Sequence, residues 1–349
     1  MHDTLPRAAT VEFRAIIRWL SVVAGLVVLI VTVGGITRLT ESGLSITRWM
    51  PLSGILPPID QAQWEAEFAH YRQIDQYGAV HSGMTLAGFK GIFFWEFIHR
   101  LLGRLIGMAL LVPLAWFAWR RAIPAGFALR LSGIVALVGF QGVLGWLMVR
   151  SGLQPGMTEV APGWLAAHLL TALATLGMLV WTVFDLKGAE RGEPPARLLP
   201  FPALVLAMLA VQLLFGALMA GLRAGQVAAG PWFDWDNWPL MQGHFFPEGI
   251  DWSHGLAHAA LADPFLVHFI HRWWAWAVVA ALIVMARRLR GRDRRASIAI
   301  HSAFGTQLLL GIATVMSGVA LWLAALHQLV GALLVVATVW GAHSLGRRT

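Results

Sequence analysis

The stretch FWEFIHRLLGR, residues 94–104, places polar side chains in a segment otherwise made of Phe, Trp, Ile and Leu. The acid, the imidazole and the guanidiniums lie three or four residues apart or side by side, on adjoining turns of a helix. Later in the chain most of the pattern returns as HFIHRWWAW, residues 268–276. A polar motif that occurs twice inside apolar sequence indicates that the chain contains two related halves. It also indicates that the polar residues of the motif have a function.

The composition is too apolar for a soluble protein. Of the 349 residues, 58% are hydrophobic and 13% are charged, whereas soluble domains average about one half apolar and one quarter charged. Apolar stretches of about 20 residues mark eight candidate spans. They lie near residues 15–37, 91–119, 127–149, 162–184, 200–221, 265–286, 297–318 and 320–342. The sequence therefore predicts an all-α membrane protein with eight transmembrane helices.

The basic residues predict the orientation of these spans. Most of the 26 Lys and Arg residues fall near the two termini and in the loops near 120–130, 185–197 and 287–295. Because Lys and Arg concentrate on the cytoplasmic side of a membrane, both termini are predicted to be cytoplasmic. The long connections, about 38–90 and 222–264, are then outside. This distribution explains the net charge of +8 by topology, so no nucleic-acid partner is expected.

Three motifs with polar residues occur in the same order in both parts of the chain. They are FIHR at 97–100 and 269–272, QGVLGWLMVRSG from Gln141 and QLLLGIATVMSG from Gln307, and PLSGILPP at 51–58 and PLMQGHFFP at 239–247. Each part holds four spans, so the copies share one orientation and should be related by an axis along the membrane normal. The predicted architecture is two pseudo-symmetric four-helix bundles, residues 1–190 and 191–349.

Four of the 13 histidines lie within spans at corresponding places: His99, His168, His271 and His327. Each is about 6 to 9 residues from the predicted outer end of its helix, which is roughly 9 to 14 Å deep. Polar groups inside a membrane are costly and usually functional. Two histidines from facing helices of a four-helix bundle suit one haem iron. The sequence therefore predicts two haem pockets, one in each half.

Other metal chemistry fits the sequence less well. The chain has no cysteine, which excludes disulfides, thiolate metal sites, iron–sulfur clusters and covalent haem attachment. The spans hold too few acids for a zinc or di-iron carboxylate site. A buried histidine can also be a hydrogen-bonded core residue, and we prefer this interpretation for His301. His343 is expected at the membrane interface.

Two arginines directly follow predicted ligands. The guanidiniums of Arg100 and Arg272 can each clamp a haem propionate near the outer interface while their stems stay in the apolar layer. The alternative is that they extend to the lipid headgroups. Both interpretations apply equally to Arg104.

The two halves differ beside the first ligand. When His99 is aligned with His271, Glu96 falls opposite His268. Residues three apart share a helix face, so Glu96 should point at the His99 pocket. A desolvated carboxylate suits general acid–base catalysis, and the alternative is an ion pair with Arg100. The difference indicates that the first pocket carries out chemistry while the second moves electrons.

Seven motifs, in order over nearly the whole chain, carry a family resemblance. They are GGITRLTESGLSITRW (34–49), PLSGILPP (51–58), FKGIFFWEFIHRLLGR (89–104), AAHLLTALAT (166–175), PLMQGHFFP (239–247), VHFIHRWWAW (267–276) and LHQLVGALL (326–334). Together they resemble the haem A synthase family, most closely its branch in proteobacteria and mitochondria.

The resemblance implies an eight-helix membrane enzyme. Such an enzyme oxidises the ring methyl of haem O to the formyl group of haem A by successive hydroxylations, for cytochrome oxidase. By position, His271 and His327 resemble the axial iron ligands of a haem b cofactor. His99 and His168 resemble the pair that flanks the iron of the substrate haem, and Glu96 resembles the acid needed for turnover.

Two departures and several partners accompany this resemblance. Some relatives carry a cysteine pair in the first outer loop, and here that thiol role is excluded. His268 stands where Gln is expected; it either hydrogen-bonds near the cofactor haem or replaces His271 as a ligand.

The partners that the resemblance implies are haem O, membrane lipid and an unidentified electron acceptor, with haem O synthase and oxidase assembly factors as candidates. The short basic N-terminus favours a bacterial inner membrane over a mitochondrial one.

Two other classes of function remain open. A membrane cytochrome b with two bis-His centres would carry electrons without substrate chemistry, but it leaves Glu96 and the unequal halves without a purpose. A transporter built from parallel repeats predicts polar residues along a route through both leaflets. The inner halves of these spans contain few.

Overall fold

The computed structural model describes residues 7–50, 54–228 and 234–347. Within these ranges the regular structure is helical, without strands, and eight helices are long and apolar enough to cross a membrane. The predicted all-α class and the number of spans are confirmed. Residues 51–53 of the PLSGILPP motif and the terminal residues 1–6 and 348–349 lie outside the described ranges. The orientation in the membrane and the division into two pseudo-symmetric halves stay predictions.

Eleven α-helices follow one another in the described chain. They are α1 (Arg7–Leu39), α2 (Gln61–Tyr71), α3 (Asp75–Val80), α4 (Leu86–Trp119), α5 (Ala128–Gly152), α6 (Pro162–Ala189), α7 (Pro200–Gly221), α8 (Leu256–Ala262), α9 (Pro264–Leu289), α10 (Arg294–Met316) and α11 (Leu321–Gly346). The short helices α2, α3 and α8 lie in the two long connections that were predicted to face outward, and the other eight are the spans.

Several helices begin where local side chains satisfy the first free N–H groups. Thr85 accepts a hydrogen bond from the N–H of Gly88 and starts α4 five residues before the predicted boundary. Asp263 accepts from the N–H of Leu266, and Pro264 follows at the first helical position of α9. These caps extend the helices beyond the apolar runs that the sequence analysis marked.

Helices α6 and α11 lie at the centre of the bundle. About half of the apolar window of α6 is buried, whereas little of α4, α5 or α10 is. Leu176 and Leu179 of α6 pack with Leu20 of α1 and Leu282 of α9 in one continuous core. The outer helices expose apolar side chains such as Leu129, as lipid-facing surfaces do. The centre therefore joins helices from both predicted halves.

A polar cluster fastens the ends of the spans that were predicted to be cytoplasmic. Asp185 of α6 accepts hydrogen bonds from Arg130 of α5 at 2.5 Å, from the main-chain N–H of Ala196 at 3.0 Å and from His343 of α11 at 2.9 Å. His343 is buried inside the protein, and its expected position at the membrane interface stays a prediction. The carboxylate thus ties three spanning helices together.

We expect Asp185→Ala to destabilise the fold. Removing one partner of a buried ion pair costs about 3 kcal/mol, because the remaining charge stays buried without compensation. The measurement is the apparent melting temperature of the detergent-solubilised protein, with Glu65→Ala on the exposed face of α2 as control. Equal melting temperatures for Asp185→Ala and the parent protein would contradict this role.

Candidate functional site

The structure brings His99 of α4 and His168 of α6 together. Their ring centroids are 6.4 Å apart, and the ring planes are inclined by 34°. Metal–imidazole bonds are about 2 Å long, so a ring separation of this size leaves room for one metal atom between two facing nitrogens. The two histidines can therefore sandwich a single iron.

A cavity lies beside this pair. It has a volume of about 420 Å³, within the range of roughly 300 to 1,000 Å³ that is usual for small-molecule sites. Most of its lining is apolar and comes from α1, α4, α5 and α6, and both histidines face it. Glu96, Arg100 and Gln141 are among its polar lining residues. The arrangement suits a large apolar ligand with a metal centre.

Glu96 is buried at the outer edge of this cavity. One carboxylate oxygen accepts from Arg100 at 2.6 Å, and the other accepts from the Ser45 hydroxyl and the Ile46 main-chain N–H, each at 2.7 Å. The ion pair expected as the alternative role is therefore present. The same carboxylate also lines the cavity. The ion pair with Arg100 is therefore compatible with a role of Glu96 in acid–base catalysis.

The arginines near the first pair hold the loop between α1 and α2. Arg100 donates to the main-chain oxygens of Ile46 at 2.7 Å and Arg48 at 3.2 Å. Arg104 donates to the main-chain oxygen of Met50 at 2.9 Å. Both guanidiniums also line the cavity. They fasten the loop that covers the His99 pocket.

His271 of α9 and His327 of α11 form the second predicted pair. The helices that carry them, α9 and α11, contact each other. The amide nitrogen of Gln212 lies 3.1 Å from Nδ1 of His271, and that of Gln307 lies 3.3 Å from Nε2 of His327. Each ring is therefore accompanied by a glutamine from a neighbouring helix.

His268 uses both of its ring nitrogens in hydrogen bonds. Nδ1 lies 2.8 Å from the main-chain oxygen of Ala224, and Nε2 lies 3.0 Å from a nitrogen of Arg272. Of the two roles left open by the sequence, the geometry favours hydrogen bonding over iron ligation. The ring has no nitrogen left for a metal while these contacts persist.

Arg272 repeats in the second half what Arg100 does in the first. Its guanidinium donates to the main-chain oxygens of Pro239 at 3.0 Å and Leu240 at 2.7 Å, and it lies over the ring of Trp238. It also donates to the main-chain oxygen of Asn237. These contacts anchor the connection between α7 and α8 from inside the bundle.

Glycines beneath the histidine rings were missed by the sequence analysis. A Cβ atom placed on the glycine would lie 2.6 to 3.2 Å from Cε1 of the paired ring, for Gly34 with His99, Gly145 with His168, Gly216 with His271 and Gly311 with His327. Each imidazole ring therefore packs directly against the main chain of a glycine. The recurring spacing of Gln and Gly in QGVLG, QLLFG and QLLLG was the signal that could have revealed three of them.

The ligand set favours haem over a metal held by protein alone. Among the described residues, no group of three or more His, Cys, Asp or Glu side chains is placed to hold a metal ion. Haem needs only axial ligands from the protein, because the porphyrin supplies the other ligands. Two facing imidazoles are such a set.

Comparisons with known proteins agree over nearly the full length. Residues 17–339 match the COX15-CtaA family model, described as "Cytochrome oxidase assembly protein". A protein of Novosphingobium aromaticivorans named "Heme A synthase" is 60% identical over 96% of each chain. Proteins of the same name from Sphingopyxis alaskensis and Erythrobacter litoralis are 56% and 53% identical, covering 96% and 95% of this chain and 93% and 97% of the relatives. The matched range contains Glu96 and all four paired histidines.

Proposed function

Because the chain belongs to the COX15-CtaA family of cytochrome oxidase assembly proteins, we propose that it oxidises the ring methyl of haem O to the formyl group of haem A. The reaction consists of successive hydroxylations and takes place in a bacterial inner membrane. The observation that carries the proposal is the His99–His168 pair, which faces a large apolar cavity beside a buried carboxylate.

The residues fit a haem in each half. A metal-bound imidazole donates its other ring N–H to an acceptor. The amide oxygens of Gln141, Gln212 and Gln307 are buried beside three of the histidines and have no hydrogen-bond partner among the described residues. Gln141 and Gln212 hold their amide nitrogens on the main-chain oxygens of His168 and His271. Gln307 has no main-chain hydrogen bond among the described residues, so its amide can turn and offer the oxygen to the ring. An unused acceptor beside a paired imidazole favours a metal-bound histidine.

In the first half, His99 and His168 bind and orient the substrate haem, whose iron and methyl group take part in the oxidation when it is bound. The apolar walls from α1, α4 and α5 keep water away from the ring. Glu96 accepts a proton on one of its carboxylate oxygens, because oxidation of a methyl group releases protons. Arg100 stabilises the ionised carboxylate and remains our candidate for a propionate contact.

In the second half, His271 and His327 are the residues that would hold haem b, which when bound would supply electron transfer to an acceptor. We retain Arg272 as a candidate for a propionate contact, although its described contacts go to loop carbonyls, His268 and Trp238. Haem O synthase and oxidase assembly factors are the protein partners that this reaction would need on either side.

The proposal is tested by coexpression with a haem O synthase in a bacterium that makes no haem A. Extracted haems are identified by mass, and the purified protein is analysed by its pyridine haemochrome. We expect formyl-haem only when both proteins are present. A protein that holds b-type haem at both sites and yields no formyl product would instead be a membrane cytochrome b.

We expect Gly34→Ala to empty the first pocket. The added methyl would lie 2.6 Å from Cε1 of His99, closer than real Cβ contacts, so the imidazole must move away from its partner. The measurement is haem O retained per protein after purification, with Gly25→Ala as control, because a Cβ there meets nothing within 4 Å. Equal retention in both variants would contradict close packing of His99 on α1.

A further inference from the structure

Three of the four paired histidines are held by the same element of the spanning helix that precedes them in the chain. The element is a glutamine followed four residues later by a glycine, and we call it the Gln–Gly element. The three examples are Gln141 and Gly145 at His168, Gln212 and Gly216 at His271, and Gln307 and Gly311 at His327. The glycine lets the ring approach the backbone, and the glutamine reaches its edge.

The glutamine also binds the main chain of the histidine in two of these cases. Gln141 donates to the main-chain oxygen of His168 at 2.7 Å, and Gln212 donates to that of His271 at 3.1 Å. The same amide nitrogen lies 3.0 Å and 3.1 Å from the respective Nδ1 atoms. An amide that touches the backbone and the ring of one residue opposes rotation of that side chain.

His99 rests on Gly34 but lacks the glutamine. Ile30 stands four residues before Gly34, and its Cδ1 atom lies 3.7 Å from a Cβ placed on Gly103, one turn after His99. Nδ1 of His99 is buried and has no hydrogen-bond partner among the described residues. An apolar side chain therefore occupies the position where the other rings have an amide.

The corresponding position in the second half shows what is missing. The amide nitrogen of Gln307 lies 3.3 Å from a Cβ placed on Gly331, one turn after His327. Nδ1 of His327 also has no hydrogen-bond partner within the described part of the chain, but Gln307 contacts the other nitrogen of that ring at 3.3 Å. Ile30 and Gln307 thus occupy equivalent places, and only Gln307 can bind an imidazole.

We propose that His99 is the exchangeable axial ligand of this protein, whereas His168, His271 and His327 are fixed. This inference rests on the proposed function and deepens it. A substrate haem has to be released after oxidation, so at least one of its axial bonds has to break readily. A cofactor haem stays bound, and both of its predicted ligands carry the Gln–Gly element. The exchangeable ligand lies on α4, three residues after Glu96.

Carbon monoxide is the probe, because it binds ferrous haem only where an axial ligand has left. The full-length protein is purified in detergent, loaded with haem b, reduced and mixed with carbon monoxide in a stopped-flow spectrometer. We expect one rapidly reacting haem in the parent protein. Ile30→Gln should slow this reaction by about fivefold, the factor that one neutral hydrogen bond is worth. Ile30→Leu is the matched control and should react as the parent does.

A reverse variant covers the case in which Ile30→Gln does not fold. Gln307→Ile removes the amide at His327, and we expect the haem of the second half to become reactive towards carbon monoxide as well. Gln307 is a positioning residue in this scheme, and because loss of a group that supports a metal ligand also weakens metal binding, the reaction is measured per bound haem.

The outcomes separate this inference from the proposed function. Unchanged carbon monoxide kinetics in haem-loaded Ile30→Gln or, if that variant does not fold, in haem-loaded Gln307→Ile would overturn the inference alone. Absence of any haem bound by the His99–His168 pair would overturn the proposed function and the inference with it. Slower exchange in Ile30→Gln, or a newly reactive haem in Gln307→Ile, would support the exchangeable ligand.

Discussion

Replacement of His271 or His327 with alanine should remove the b-type haem spectrum from the purified protein. The two residues lie on the facing helices α9 and α11, and each would supply one of the two axial bonds to the cofactor iron. Even the loss of a group that only supports a metal ligand lowers metal affinity by about 10- to 100-fold, and loss of the ligand should cost more. The measurement is the pyridine haemochrome signal per protein.

His268 provides the matched control on the same helix. It is as buried as a ligand, but its nitrogens contact Arg272 and the main-chain oxygen of Ala224. We expect His268→Gln to keep the cofactor haem. Loss of the haem in His268→Gln with retention in His271→Ala would exchange the two assignments. An unchanged spectrum in both His271→Ala and His327→Ala would contradict the cofactor site.

Glu96→Gln should stop the conversion of haem O while both haems stay bound. General acid–base groups contribute about 10²- to 10⁴-fold to a rate, and glutamine keeps the shape of the side chain but cannot accept and release a proton as a carboxylate does. The measurement is the yield of formyl-haem and of partly oxidised haem in extracts, determined by mass, next to the haem content of the purified variant.

Two controls separate proton transfer from fastening of the outer loop. Ser45→Ala removes one hydrogen bond to the carboxylate but keeps its charge, and it should retain most of the conversion. Glu67→Gln removes a different buried acid, which pairs with Arg48, and should do the same. Full formyl-haem output from Glu96→Gln would refute the catalytic role. A Ser45→Ala variant as inactive as Glu96→Gln would assign the carboxylate to the loop.

The eight spans were predictable because each is an apolar run of membrane-crossing length, and length and hydropathy are local properties. Their ends were less predictable. The first span was expected at residue 15 and begins at Arg7, and the second was expected at residue 91 and begins at Leu86. Helices continue past the apolar run where a cap such as Thr85 satisfies the free N–H groups. The short helix α2 lacks any long apolar run and was not anticipated.

The site was predictable where it depended on periodicity and depth. Equal depth on neighbouring helices indicated that His99 and His168 would meet, and the rings do lie close together. The contacts of His268 and Arg272 were not predictable, because their partners are main-chain oxygens of distant loop residues. Main-chain acceptors are alike at every residue and leave no pattern in the sequence. The contact between Gly34 and His99 was not predictable either, because it depends on the missing side chain of a glycine.

Arg100 and Arg272 reach from the bundle to main-chain carbonyls of the two long connections, and this constrains how a large planar molecule moves in and out. Both covering loops are tethered from below, at Ile46 and Arg48 in one and at Pro239 and Leu240 in the other. A loop held by these hydrogen bonds does not open readily. We therefore expect haem O to arrive sideways from the lipid, between helices. Proteolytic nicking of the first loop should then leave its uptake from vesicles unimpaired.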